Sequence, residues 1–208
     1  MQSRPSGGSS AVGNRTTTFR YSLSQTLRLI RSDIAFRRSY QQERPGWLGS
    51  LRLLMSPGVG CGIRYRLQCL FFSNRLAPLG SVFKFLNLVL YGVDIDEGAQ
   101  IGGCFLIGHP ISILITADVT IGERCVVYHH TTIGRSPVFE TGLEPGPIII
   151  GEDVIFGMGS CAYGKIVIGD GCRVGANTVV DRSFPPGSCL SGVPARIVNN
   201  PTEQKGAG

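Results

Sequence analysis

The sequence lacks several features that would place it in a familiar class. Its seven cysteines form no Cys-x-x-Cys pair and no zinc-ligand spacing, which argues against zinc ribbons and thioredoxin-type redox motifs. They are expected to be small buried residues of a cytoplasmic protein. No uninterrupted apolar run approaches the roughly 18 to 20 residues of a membrane-spanning helix. Residues 1–18 lack the apolar segment of a signal peptide and are expected to form a disordered tail.

Acidic residues are scarce in the first part of the chain. Up to Gly92, thirteen Lys and Arg residues stand against two acids, a balance of +11, whereas the remainder has a balance of −5. Such an Arg-rich surface suits phosphate or the anionic inner face of a membrane, and a solvated or subunit-contacting helical surface explains it equally well. No recognised nucleic-acid-binding module is present, so no nucleic-acid partner is expected.

Charged residues of either sign are few, at 16%, whereas glycine is abundant, with 29 residues. From about Phe19 to Tyr91 the apolar residues have helical spacing, for example at Leu23, Leu27 and Ile30. Two later apolar segments predict two further helices. Residues 19–92 are therefore predicted to form a small α-helical domain.

Beyond Gly92 the apolar period becomes six, which indicates an internal repeat. A small or apolar residue lies two positions before most of these aliphatics, and residues two apart in a strand share a face. Glycine follows many of the aliphatics and is expected to permit a turn through positive φ. The pattern predicts a mainly β protein in which residues 93–198 wind into a parallel β-helix. The aliphatic positions are Ile101, Ile107, Ile115, Ile121, Val127, Ile133, Ile150, Phe156, Ala162, Ile168, Val174 and Val180.

Two interruptions break the six-residue period. Two extra residues fall around His109-Pro110, and residues 135–147 are too many for one face, so they are predicted to form an extruded loop. Insertions in solenoids usually lie on the binding side. Residues 199–208 are expected to form a C-terminal tail.

Four segments carry a resemblance to a known family: GVDIDEGAQIG, FLIGHP, VVYHHTTIGR and PPGSCLSGVPARIV. With them the sequence resembles the hexapeptide-repeat acyltransferases, and most of all the serine acetyltransferase family, from about Ile30 to Val198. The resemblance implies a left-handed parallel β-helix, a homotrimer, and acetyl transfer from acetyl-CoA to a hydroxyl without a metal.

The resemblance also implies the catalytic residues. His109 matches the catalytic histidine and Asp94 the aspartate that orients it. An alcohol is a poor nucleophile at neutral pH, so an imidazole must accept its proton as it attacks the thioester. A carboxylate on the other ring nitrogen fixes the tautomer.

Acetyl-CoA is expected to contact mostly backbone along the prism. The residues that the resemblance implies for its pantetheine arm are Gly134, Arg135, Ser136, Met158, Gly159, Ala176 and Asn177. Arg173 and Arg196 are candidates for the CoA phosphates because guanidinium suits phosphate geometry, although each is equally plausible as a plain surface arginine.

The acceptor is less clearly indicated. Serine-specific members hold the charged groups of serine with charged partners, and the aspartate before the catalytic histidine is here Gly108. Glu43 and His130 are the remaining candidate acceptor contacts. The shortened helical region and the tail resemble the O-acetyltransferases of exopolysaccharide and colanic-acid-type assembly. A sugar hydroxyl, lipid-linked at the inner face of the membrane, is therefore the expected acceptor, with serine as the alternative.

Two other functions compete. Three histidines on a β-helix also suit a γ-carbonic-anhydrase-like zinc enzyme, although His129 and His130 are adjacent. A non-catalytic scaffold is the other alternative, and the presence of both Asp94 and His109 argues against it.

Overall fold

The computed structural model describes residues 21–42, 53, 55–135 and 146–198. The predicted tails and most of the 135–147 loop lie outside these residues. So do two candidate site residues, Glu43 and Ser136.

Three helices form the first part of the described chain: α1 (Leu23–Tyr40), α2 (Pro57–Ser73) and α3 (Ala77–Tyr91). At the start of α1 the Oγ of Ser22 accepts a hydrogen bond from the backbone N–H of Gln25, which satisfies one free helix-terminal donor. Helix α3 ends at Gly92, whose φ of 64° allows the chain to turn directly into the first strand.

Buried polar side chains hold the helices against the first coil of the solenoid. Arg66 of α2 pairs with Asp33 of α1 at 2.9 Å. Arg66 also donates to the carbonyls of Ile101 and Gly102 at 2.7 and 2.6 Å, while Asp33 accepts from the N–H of Phe105. One ion pair thus ties two helices to one turn of the solenoid.

Fifteen short strands follow in the described part of the chain. They are β1 (Val93–Ile95), β2 (Gln100–Ile101), β3 (Leu106–Ile107), β4 (Ile113–Ile115), β5 (Val119–Ile121), β6 (Val126–Val127), β7 (Thr132–Gly134), β8 (Ile148–Ile150), β9 (Ile155–Phe156), β10 (Cys161–Tyr163), β11 (Ile166–Ile168), β12 (Arg173–Val174), β13 (Val179–Val180), β14 (Cys189–Ser191) and β15 (Arg196–Ile197).

The strands form the three faces of a prism. The first face has the order β1-β4-β7-β10-β13, the second β11-β8-β5-β2 and the third β15-β14-β12-β9-β6-β3. All neighbouring pairs are parallel except β14 and β15. Each coil therefore contributes one strand to each face, which confirms the predicted parallel β-helix preceded by helices.

The inward positions predicted from the six-residue period are confirmed. All twelve aliphatic positions are buried, and so are the small partners two residues before them, such as Ala99, Cys125 and Thr178. The core is a stack of these residues, because each coil buries its inward side chains against the coils above and below.

The glycines that follow the aliphatics serve a different purpose from the predicted one. Gly102, Gly122 and Gly157 have no positive φ. A Cβ on any of them would lie 2.7 to 2.8 Å from backbone atoms of the next coil. Positive φ at the corners falls largely on other residues, including Arg124 and Asp153. Glycine is therefore required there for close approach between coils.

The prediction of buried cysteines is only partly correct. Cys61, Cys69, Cys125 and Cys172 are buried, whereas the other three are half-buried. Burial raises the pKa of the Cys61 thiol to about 12 and that of Cys69 to about 11, which makes both thiols unreactive at neutral pH.

Candidate active site

At one edge of the prism the chain turns from a strand of the third face to a strand of the first face. We call this edge, formed by the stacked turns or corners, the base edge. Backbone hydrogen bonds stack its corners: His130 N to Ile111 O at 2.9 Å, Gly159 N to His129 O at 3.0 Å and Asn177 N to Met158 O at 2.8 Å. From the first coil upward, the corners are residues 109–112, 129–130, 158–159 and 176–177.

His109 lies exposed in the lowest corner of the base edge, two residues after β3. Asp94 lies in β1, which pairs with β4, the strand that follows His109. No hydrogen bond joins the two side chains in the described part of the chain, and the buried Oδ1 of Asp94 has no hydrogen-bond partner there. Catalytic hydrogen bonds of ligand-free enzymes often form fully only in the complex. The dyad of Asp94 and His109 stays a prediction.

The charged neighbour of Asp94 is Lys84 of α3. Its Nζ lies 3.5 Å from Asp94 Oδ1, 3.5 Å from Asp96 and 3.4 Å from Glu97. Burial lowers the pKa of Lys84, but the three carboxylates raise it more, so the net shift is upward. Lys84 is therefore a stable cation beside the predicted orienting carboxylate.

The structure places the ring of His129 against that of His109, whereas the predicted acceptor contact, His130, packs against His129. The ring centroids of His109 and His129 are 5.8 Å apart, with the planes 70° apart. The ring centroids of His129 and His130 are 5.3 Å apart. The positive φ of His130, 57°, fits its place in the corner.

A column of glycines runs beside the base edge. The residue directly after each strand of the third face occupies one position of this column, because the last residues of these strands are paired. From β3, β6, β9 and β12 these residues are Gly108, Tyr128, Gly157 and Gly175. Tyr128 is the one side chain in this column, and its ring lies over Gly108. A Cβ at position 108 would lie 2.7 Å from Cδ1 of that ring. The aspartate that the resemblance implies there is thus replaced by an aromatic ring from the next coil.

Helix α1 reaches the same place. The hydroxyl oxygens of Tyr40 and Tyr128 lie 3.2 Å apart in a hydrogen bond. One helical turn earlier, Arg37 donates to the carbonyls of Ile107 and Gly108 at 3.1 and 3.4 Å. The helical region therefore fixes the backbone immediately before His109.

Four of the residues predicted for acetyl-CoA lie on the base edge: Met158, Gly159, Ala176 and Asn177. Gly159 has a φ of 69°, and a Cβ there would collide with the side-chain oxygen of Asn177. Met158, Ala176 and Asn177 are exposed, so a ligand that passes upward from His109 along the base edge can contact them.

The remaining candidates for acetyl-CoA lie elsewhere. Gly134 and Arg135 end β7 at a different edge, where Arg135 lies 3.4 Å from Asp118. The guanidinium of Arg173 donates to the carbonyl of Asp153 at 2.5 Å. Arg173 is the first residue of β12, whereas the base edge follows the end of that strand. Arg196 is exposed on β15. One chain alone does not bring these residues to the base edge.

Sequence reasoning missed Lys84, Tyr40 and Tyr128. The six-residue repeat predicts contacts between coils of the solenoid but not contacts between the solenoid and the helices. The two tyrosines, for example, are 88 residues apart in the sequence. The one available signal was Tyr128 itself, which stands where the repeat elsewhere places glycine.

The described residues contain no group of three His, Cys, Asp or Glu side chains that could hold a metal ion. The zinc-enzyme alternative has no supporting ligand cluster in this part of the chain. No helix among the described residues is long and apolar enough to cross a membrane.

Comparison with known proteins gives consistent matches. The family model "Bacterial transferase hexapeptide (six repeats)" matches residues 147–182. A serine acetyltransferase of Helicobacter pylori strain J99 is 31% identical over 146 residues, which is 70% of this chain and 84% of that protein.

Solved structures agree with this match. Soybean serine acetyltransferase complexed with serine has a TM-score of 0.70 and 28% identity, covering 83% of this chain and 69% of the soybean chain. A serine acetyltransferase in complex with CoA has a TM-score of 0.72 and 24% identity, covering 85% and 70% of the two chains, and shares the fold. The fold is a left-handed parallel β-helix preceded by a small helical region, as the resemblance implied.

Proposed function

The chain belongs to the serine acetyltransferase family, and on that premise we propose that it transfers the acetyl group of acetyl-CoA to the hydroxyl of serine, with His109 as general base. It is an acyl-CoA-dependent acetyltransferase whose co-substrate is acetyl-CoA. Serine is proposed as the first candidate acceptor because the matching relatives are serine acetyltransferases.

The proposed chemistry needs one proton carrier. The neutral imidazole of His109 accepts the hydroxyl proton while the oxygen forms its bond to the thioester carbonyl carbon. The carbon–sulfur bond then breaks, and the imidazolium returns the proton to the sulfur of CoA. Asp94 holds the ring in the required tautomer and stabilises the imidazolium. The exposed corner residues Met158, Ala176 and Asn177 suit the pantetheine arm of acetyl-CoA.

The observation that carries this proposal is the base edge itself. An exposed histidine lies at its lowest corner, and corners with exposed residues rise from it, stacked by backbone hydrogen bonds. A thioester carried along this edge ends beside His109.

The test measures release of free CoA thiol from acetyl-CoA with and without millimolar L-serine, and identifies O-acetylserine by mass spectrometry. Wild-type protein is expected to show serine-dependent release. His109→Asn retains a similar shape but cannot accept the proton, so its rate should fall by about 10² to 10⁴. Serine-dependent release that survives the substitution contradicts the role of His109.

A sugar hydroxyl is the second candidate acceptor, and position 108 favours it. The residue next to the base has no side chain, and the ring of Tyr128 occupies the space that a carboxylate needs. A zwitterion loses affinity where its charges lack partners. Release of CoA that ignores serine but responds to nucleotide sugars or lipid-linked saccharides would favour this acceptor.

Assembly and location belong to the same proposal. We infer a homotrimer, in which a neighbouring chain supplies the other wall of the cleft and brings further arginines near the base edge. A cytoplasmic location, with or without contact to the inner face of the membrane, stays a prediction.

A further inference from the structure

The two tyrosines beside His109 form a small polar group at the rim of the proposed site. Tyr40 is 42% exposed, and the ring of Tyr128 lies 6.5 Å from that of His109, between centroids. Phe36 packs against Tyr40, at 6.0 Å between centroids. The hydroxyl pair is therefore supported by a third aromatic ring and lies near the ring of His109.

The hydrogen bond between Tyr40 and Tyr128 uses only one of their two O–H donors. Two phenol groups carry two O–H donors, and the hydrogen bond between them consumes one. Within the described residues no further acceptor engages either hydroxyl. As far as the described residues go, one O–H is left to donate to an incoming group.

The electrostatic surroundings favour an acceptor oxygen that carries negative charge. The hydrogen bond with Tyr40 and burial raise the pKa of Tyr128, whereas the cation of Arg37 lowers it, with a net upward shift. The raised pKa means that Tyr128 keeps its proton at neutral pH and can donate a hydrogen bond. The nearby cation of Arg37 favours an acceptor oxygen with negative charge.

The ring of Tyr128 also prevents recognition by a side chain at position 108. Because a Cβ there collides with the ring, the tyrosine hydroxyls are the polar groups presented at this position. Tyr128 stands in the glycine column with its ring 6.5 Å from that of His109, and its hydrogen bond to Tyr40 keeps both hydroxyls near the proposed acceptor.

We propose that the Tyr40–Tyr128 hydroxyl pair is an acceptor-binding site, in which one O–H donates to an oxygen next to the hydroxyl that is acetylated. For serine that oxygen belongs to the carboxylate, and for a sugar it is a neighbouring hydroxyl. The inference rests on the proposed acetylation of a hydroxyl at His109.

The test compares binding of L-serine and ethanolamine by titration calorimetry in wild-type protein and in the Tyr40→Phe/Tyr128→Phe double variant. The variant keeps both rings and removes only the oxygens. Loss of a hydrogen bond to a charged group is expected to raise the Kd for L-serine about tenfold. Ethanolamine has the amine and the hydroxyl but no carboxylate, so its Kd should be the same for both proteins.

Tyr91→Phe is the matched control, because it also removes only a phenol oxygen and the Tyr91 ring packs against Arg64 at the end of α3. Its Kd for L-serine should equal that of wild type. A purely structural role of the pair would change both ligands equally, and that result overturns the inference. An unchanged Kd for L-serine in the double variant overturns it as well.

Turnover separates this inference from the proposed function. If CoA release depends on serine, the double variant should raise the KM for serine about tenfold and leave the KM for acetyl-CoA within about twofold. If wild-type protein neither binds nor acetylates serine but acetylates UDP-N-acetylglucosamine, the same increase is expected in the KM for that sugar. An unchanged KM for whichever acceptor is acetylated overturns the inference while the proposed acetyl transfer stands.

Discussion

Lys84 is the residue whose charge bears most directly on the predicted dyad. Its ammonium lies 3.5 Å from Asp94, so it offsets part of the negative charge that would stabilise a protonated His109. Replacing Lys84 with Met removes that cation and leaves the negative charges of Asp94, Asp96 and Glu97 in place. The acid limb of the kcat/KM profile should therefore move to higher pH.

The pH profile distinguishes this effect from a loss of structure. Lys84→Arg retains the charge and should retain the wild-type profile, whereas Lys84→Met should shift it. If both variants lower the rate equally at every pH, Lys84 acts only on the packing of α3.

Individual residues also show where sequence reasoning stops. The burial of Ile115 or Val174 could be predicted because each coil repeats the same inward position. The contact of Lys84 with Asp94 could not be predicted, because the sequence does not show how α3 packs against the first strand. The choice between His129 and His130 needed the corner geometry, which sets the ring of His129 against that of His109.

At the scale of elements, the buried ion pair of Asp33 and Arg66 decides whether the helices stay docked. Asp33→Asn leaves a guanidinium with 0% side-chain exposure facing a neutral group. Removing one partner of a buried pair typically costs about 3 to 5 kcal/mol. Urea unfolding should show this loss in the free energy of unfolding.

The matched control is Asp181→Asn, which removes the partner of Arg182 from an exposed pair. Solvent screens such pairs, so the midpoint of unfolding should hardly move. Equal effects of the two substitutions would contradict the docking role of Asp33 and Arg66.

Contact between coils makes a second prediction at this scale. A Cβ on Gly122 would lie 2.7 Å from the backbone of Gly151, so Gly122→Ala must push two coils apart, at a cost of about 1 to 3 kcal/mol. Gly62, inside α2, has nothing within 4 Å of an added Cβ. Gly62→Ala should therefore stabilise the protein, by about 0.5 to 1 kcal/mol.

Thermal unfolding of the two variants checks this prediction. A lower midpoint for Gly122→Ala with a higher one for Gly62→Ala is expected. The contrast matters because the sequence alone predicts positive φ at position 122, and on that account alanine would fail through backbone strain. The structure assigns the cost to the neighbouring coil.

For the whole molecule, the charge count of the sequence overstates the cationic surface. Arg37 and Arg66 are buried and donate to backbone carbonyls, and Arg64 packs on Tyr91. Arg28 and Arg31 of α1 remain exposed. Contact with an anionic membrane stays a prediction, and it rests on fewer arginines than the sequence suggests.

The second face of the prism suggests how chains associate. Ile149 and Val167 are adjacent in register on β8 and β11 and point outward, 40% and 48% exposed. Outward apolar residues on neighbouring coils favour contact with another chain. We expect a homotrimer with a mass three times that of the 22.3 kDa chain.

Sedimentation equilibrium measures this mass directly. The Ile149→Lys/Val167→Lys double variant places like charges on the proposed contact and should sediment as a monomer with a folded circular dichroism spectrum. Because the cleft is proposed to need two neighbouring prisms, this monomer should also lose CoA release although His109 is intact. A folded monomer with full activity would show that one chain forms the complete site.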